Sequence, residues 1–168
     1  MNLQRFLQSI PEFSEMTSQE LDTLERTMVV RDHPNGETFL CQGNVADDLF
    51  LIVEGVVEII HEEASSHDVQ VIKIMHPGEL VGLHSLISHR STGVFCRTRG
   101  QTKLATLPLS AFNLLYQANT LLTHHFQRVI ARQLVRDYRE VMSVLKTMMS
   151  AENEGQAGQA LSKHVTGS

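Results

Sequence analysis

No apolar run in this chain approaches the roughly 20 residues that a helix needs to cross a bilayer. The opening residues Met1-Asn2-Leu3-Gln4-Arg5-Phe6 have no long apolar core and no small-residue cleavage pattern, so a signal peptide is not expected. Positive charge is scarce as well. Lys and Arg number 14 against 19 Asp and Glu, a formal net charge of −5, which argues against a surface that coats nucleic acid. There are only two cysteines, Cys41 and Cys96, both in apolar strand-like runs. They read as buried thiols rather than a disulfide or half of a metal site. A cytoplasmic location is the expectation.

What is present is a core. Apolar residues make up 42% of 168, enough for one domain plus an appendage. Thr17-Ser18-Gln19-Glu20 is a capping box, opening a helix with Leu21, Leu24 and Met28 at spacings of three and four. A shorter helix over Leu3–Ser9 should stop before Pro11. From Val29 the period changes to two. His33-Pro34-Asn35-Gly36 reads as a hairpin turn, Gln42-Gly43-Asn44 and Glu54-Gly55 as further turns, and His61–Asp68 as a polar loop. Between them lie about eight short strands, the last two being Val94–Thr98 and Thr102–Leu107, which predict an α+β fold built on a sandwich, barrel or roll.

Pro108 ends the β region. A short helix over Leu109–Gln117 follows, and Asn119 or Thr120 can cap a long one reaching about Met149. Thirty residues make a rod of about 45 Å, longer than a core of this size can cover. Leu134, Tyr138, Val141, Leu145 and Met148 follow the 4-3-4-3 spacing of a coiled-coil seam, and Val135, Met142 and Met149 widen the stripe. The helix could lie back along its own β domain, but its second half has no further chain to pack on. A homodimer through residues 120–149 is therefore expected. Residues 1–149 form the domain, and 150–168, rich in Gly, Gln, Ser and charge, read as a disordered tail.

The segment Pro77-Gly78-Glu79-Leu80-Val81-Gly82-Leu83-His84-Ser85-Leu86, followed by Arg90-Ser91-Thr92-Gly93-Val94, reads as a tight turn, a short strand, one helical turn and an arginine-bearing loop. Glycines beside a helix N-terminus with an arginine downstream suit a small phosphate. With Gly43, Asp47 and Gly55 in the pattern Gly-x-x-x-Asp-x-x-x-x-x-x-x-Gly, the order of elements over about residues 10–147 resembles the cyclic-nucleotide-binding domain. This is the sensor module of catabolite-activator-type regulators, kinase regulatory subunits and gated channels. The resemblance implies a jelly-roll-like β-roll of about eight strands between short N-terminal helices and a long C-terminal dimerisation helix. It also implies a cyclic nucleotide as ligand, with a pocket at Gly82, Leu83, Ser85, Leu86, Arg90, Ser91 and Thr92.

In ligand-competent members the cassette resembles Phe-Gly-Glu-Leu-Ala-Leu, then an arginine step. The glutamate accepts from the ribose and the arginine neutralises the phosphate. Here Gly82 takes the glycine place but Leu83 stands where the glutamate belongs, and one lost buried bond costs about 1–3 kcal/mol. Arg90 and Ser91 match the arginine step, though the interval from Gly82 is two residues shorter than in a kinase-type cassette. Sliding the cassette to Gly78-Glu79-Leu80 would consume the turn and lengthen the interval. The segment is closer to the branch related to the fumarate-nitrate regulator, some members of which hold an iron–sulfur cluster on N-terminal cysteines. With no cysteine before Cys41, such a cluster is not expected. Only residues 150–168 follow Met149, too few and too polar for a helix-turn-helix, so the chain reads as a free-standing module without DNA binding. The hydroxyl pair that touches the base in the catabolite-activator pattern falls on Asp137 and Tyr138. The aspartate is a further mark against an anionic ligand.

Other constellations carry less. His84 and His89 with Cys96 match no metal-ligand spacing, and His124-His125 point about 100° apart on one helix. Ser85, Ser88 and Ser91 lack a nucleophile elbow, Glu62-Glu63 is loop solvation, and Arg128, Arg132, Arg136 and Arg139 read as a solvated helix flank. No catalytic residue, metal site or resident cofactor is indicated. The first expectation is a dimeric, non-enzymatic regulatory module with a degenerate phosphate cassette, acting through protein–protein contacts with an unidentified partner. The alternative is a working cyclic nucleotide sensor that uses Arg90.

Overall fold

A computed structural model describes residues 2–63, 68–118 and 120–165, with side chains as far as Ser150. The chain divides into two units, Met1–Ile130 and Ala131–Ser168.

The first unit is organised by two long antiparallel strands, β3 (Asp48–Glu62) and β6 (Phe95–Pro108), paired from Asp48↔Pro108 to Ile60↔Phe95. The other strands attach to this pair. β1 (Val29–His33) and β2 (Thr38–Leu40) pair with successive parts of β6, while β4 (Val69–Met75) and β5 (Leu80–Val81) pair with β3. Six described strands therefore stand where the period-two reading counted about eight. Leu49–Val53 and Val56–Ile60 are one strand, and so are the two runs assigned to β6.

The physical reason is that the glycines between those runs bend the strands without ending them. Gly55 has φ +87°, and the β3–β6 register shifts on both sides of Glu54. A Cβ at Gly55 would lie 2.5 Å from the Gln101 carbonyl oxygen, so no other residue fits. The expected hairpin at His33–Gly36 is also corrected, because β1 and β2 do not pair with each other. The turn instead docks on β6. Gly36 N–H donates to the Thr98 carbonyl at 2.9 Å, and Gly100 N–H donates to Asn35 Oδ1 at 2.7 Å. A turn-forming sequence specifies a reversal but not which strand receives it.

Both faces of β3 are buried over Leu49–Val53. Leu49, Leu51 and Val53 face one cluster, built with the helices α1 (Leu3–Ser9), α2 (Ser18–Thr27) and α4 (Leu109–Gln117) and with Leu122 and Phe126. Phe50 and Ile52 face a second cluster inside the roll, with Leu40, Val57, Val81, Cys96 and Leu104. Period two splits one apolar run between two cores. Cys96 is buried as expected, but Cys41 is exposed, because β2 ends at Leu40 and the chain turns out at Cys41–Asn44.

The helix α2 has the capping box read from its sequence, with Thr17 N–H on Glu20 at 2.8 Å. Glu20 also meets His125 Nδ1 at 3.1 Å, and Arg128 meets Glu15, in the turn before α2, at 2.6 Å, so two contacts fasten the first turns of α5 (Leu121–Val165) to the N-terminal segment. Thr120 Oγ1 accepts from Thr123 N–H at 3.2 Å and caps α5. That helix spans Leu121–Val165, so it does not stop near Met149 as expected. The expected tail at 150–168 falls mostly outside the described side chains, and residues 166–168 lie outside the described residues altogether.

Gly55→Ala should cost at least about 2 kcal/mol from left-handed strain and the carbonyl clash together, read as a lower urea midpoint. A second expectation concerns acid. Burial acts to raise the Glu20 carboxyl, but hydrogen bonds from Thr17 and the charge of His125 outweigh it, leaving the group below its ordinary 4.5. A depressed folded-state value means stability present above 4.5 and lost as the pH falls through the folded value. Thermal midpoints across pH 3–7 should therefore fall less steeply on the acid side in Glu20→Gln than in the parent.

Candidate functional site: the cassette and its cavity

The site hangs between β5 and β6. Gly78 (φ +94°) turns the chain, its N–H donating to the Ile52 carbonyl at 2.8 Å, and the Glu79 carboxylate closes the turn on His76 N–H at 2.6 Å. Glu79 is thus engaged in the turn and lies 4.0 Å from Lys73. After β5, Gly82 adopts φ +91° with Asp48 O only 3.0 Å from where a Cβ would stand. The short helix α3 (Leu83–Ser88) follows and ends at His89, also left-handed at φ +52°.

The first turn of α3 sends its side chains two ways. Leu83, 4% exposed, and Leu86 pack into the helical core cluster. Ser85 turns the other way. Its buried hydroxyl accepts from Ala46 N–H at 2.9 Å and donates to the Arg90 carbonyl at 2.6 Å, tying the 43–46 turn to the arginine loop. Thr92 reinforces the tie, with its N–H on the Asn44 carbonyl and its carbonyl on Gly43 N–H, both at 2.8 Å.

Under this lacing lies a cavity of about 260 Å³. Its polar edge is Gly82, His84, Ser85, Thr92 and Gly93, and its apolar wall is Leu40, Ile59, Val94 and Cys96. Burial pushes the Cys96 thiol up to about 12, so it stays protonated and uncharged. Of the seven expected pocket residues, Gly82, Ser85 and Thr92 reach the cavity. Leu83 and Leu86 belong to the core, and Arg90 and Ser91 are exposed on the loop outside the lining.

The sequence reading missed Leu40, Ile59, Gly93 and Val94, and it weighed His84 and Cys96 only as part of a metal group that it set aside. Among the described residues no group of three or more His, Cys, Asp or Glu could hold a metal ion. The strand residues carried a weak signal, since Ile59 and Cys96 sit at half-buried and buried places of period-two runs. Asp137 and Tyr138 lie in the second unit, Tyr138 being 64% exposed.

The family model for the cyclic nucleotide-binding domain matches residues 30–119, more than half of the chain. The chain belongs to this family. A curated relative, the cAMP-dependent protein kinase type II regulatory subunit of Drosophila melanogaster, is 30% identical over 112 residues. That match takes in 65% of this chain but only 29% of the relative's length. A cyclic nucleotide-binding domain from Methylobacillus flagellatus superposes with TM-score 0.72 at 22% identity, covering 82% of this chain and 77% of that one. The catabolite activator protein of Thermus thermophilus gives 0.65 at 22%, covering 80% and 62%. At such identities the two structures speak for the fold alone. The cassette of this family member is held by the hydrogen bonds of Ser85 and Thr92, whatever it binds. Among the described residues, no helix is long and apolar enough to cross a membrane.

Ser85→Ala would leave the Ala46 N–H without its partner in a buried place. The expected cost is about 1–3 kcal/mol in chemical denaturation, with faster hydrogen exchange at the Ala46 amide.

Proposed function

We propose that this chain is a non-enzymatic regulatory module of the cyclic nucleotide-binding family whose phosphate cassette keeps its architecture without its nucleotide-reading groups. The observation that carries this reading is Leu83. It follows Gly82, where the family's ribose-binding glutamate belongs, and its side chain is built into the core. The described cavity lining holds neither a carboxylate for ribose hydroxyls nor a guanidinium for a cyclic phosphate. Ser85 does not serve as a nucleophile in this reading, because both roles of its hydroxyl are taken by backbone groups. A change of state would act through the Glu20–His125 and Glu15–Arg128 contacts that fasten α2 and the turn before it to the start of α5, and pass to a protein partner.

Isothermal titration with cyclic AMP, cyclic GMP and cyclic di-GMP should give no binding heat up to millimolar ligand. Micromolar binding that Arg90→Ala abolishes would overturn the reading and establish a sensor with Arg90 on the phosphate.

The module acts as a homodimer through α5. Leu134, Tyr138, Val141, Leu145 and Met148 are each more than two-fifths exposed in the single chain and follow a coiled-coil spacing, which a second copy complements. Sedimentation at tens of micromolar should give twice the 18.9 kDa chain mass, and Leu145→Glu should return it to the monomer. A parent protein that sediments as a monomer refutes this contact.

A further inference from the structure

The cavity under α3 is a better receptacle for a different kind of molecule. We infer that it takes a compact, mainly apolar small molecule, of one ring or a short chain, whose single hydrogen-bond-accepting end meets His84. This inference rests on the reading above that the cassette no longer recognises a nucleotide.

Three observations lead there. First, the hydroxyls at the cavity are already committed. Ser85 Oγ is taken by Ala46 N–H and the Arg90 carbonyl, and Thr92 Oγ1 pairs with the carbonyl and N–H of Val94 at 3.2 and 3.3 Å. A ligand with many hydroxyls would find neither of these side chains free to replace its water, at about 1–3 kcal/mol for each group left unpaired. An apolar ligand loses nothing by entering.

Second, the wall formed by Leu40, Ile59, Val94 and Cys96 is apolar, and the protonated Cys96 thiol adds no charge to it. Voids lined in this way bind small hydrocarbons because filling them restores dispersion contacts that water does not supply. At about 260 Å³ the space falls just short of the roughly 300–1,000 Å³ of drug-sized sites, which sets the ligand at one ring or a short chain.

Third, His84 is the lining side chain with hydrogen-bonding capacity to spare. It is exposed at the cavity edge, and among the described residues no hydrogen bond engages its ring. In either tautomer an imidazole offers an N–H, so a carboxylate or carbonyl at the mouth would be met while the rest of the ligand sits against the wall.

The test uses para-fluorobenzoate and para-fluorotoluene as probes of the same size, with and without the acceptor, followed by fluorine NMR on the full chain. Both should bind, with nuclear Overhauser contacts to the methyl groups of Ile59 and Val94. Val94→Phe, which fills the cavity from a half-buried position, should weaken both about tenfold or more, and His84→Ala should weaken the benzoate several-fold but not the toluene. The Overhauser contacts locate the probe in the parent protein, so a poorly folded variant does not leave the question open. Failure of both probes at millimolar concentration, or contacts only to the α5 stripe, overturns the inference. Cyclic AMP in the same titration separates the two claims. Silent probes with silent cyclic AMP remove this inference alone, whereas tight cyclic AMP binding removes the degenerate cassette and this inference with it.

Discussion

The antiparallel ladder between β3 and β6 is the constraint on which the rest of the first unit depends. Each of the other described strands takes its place from one member of that pair. The ladder can serve so many partners because it bends. Gly55 lies against the backbone of Gln101 and Thr102, closer than any Cβ allows, and the register shifts around it let one strand run through two directions. Alternation along the strand lets five consecutive buried residues, Leu49–Val53, supply the two separate cores on its two faces.

The cassette depends on this ladder at one remove. Gly82 packs against the backbone of Asp48, at the start of β3, and the 43–46 turn that leads into β3 holds Ser85 and Thr92. The shape of this segment comes from left-handed glycines and from hydroxyls bonded to backbone. Leu83 contributes to the core, and the cavity beside it keeps its walls.

The two N-terminal helices and α4 were legible in the sequence almost to the residue, whereas α5 runs well past its expected end near Met149. α1 over Leu3–Ser9, the Thr17–Glu20 capping box and α4 over Leu109–Gln117 are local structures whose start and stop signals lie within a few positions of one another. The β region was legible in content but not in connection. Asn35-Gly36 forms the turn its sequence suggests, yet its partner is the backbone of β6, more than sixty residues away. Cys41 was misplaced for a related reason, since an apolar neighbourhood in sequence does not show where a strand ends. In the candidate site the reading named Gly82, Ser85 and Thr92, on one segment, and missed Gly93 and Val94 at the end of that segment and Leu40 and Ile59, which come from two other strands.

By itself the sequence determined the element types, the family and the absence of a carboxylate after Gly82, because propensity, capping and motif order are properties of neighbouring residues. Tertiary structure alone decided that Glu54-Gly55 bends a strand instead of ending it, that Leu83 serves the core, and that Arg90 stays outside the cavity. Those outcomes depend on contacts between segments far apart in the chain, where a Cβ meets a carbonyl or a hydroxyl finds an amide. No local pattern encodes such a meeting.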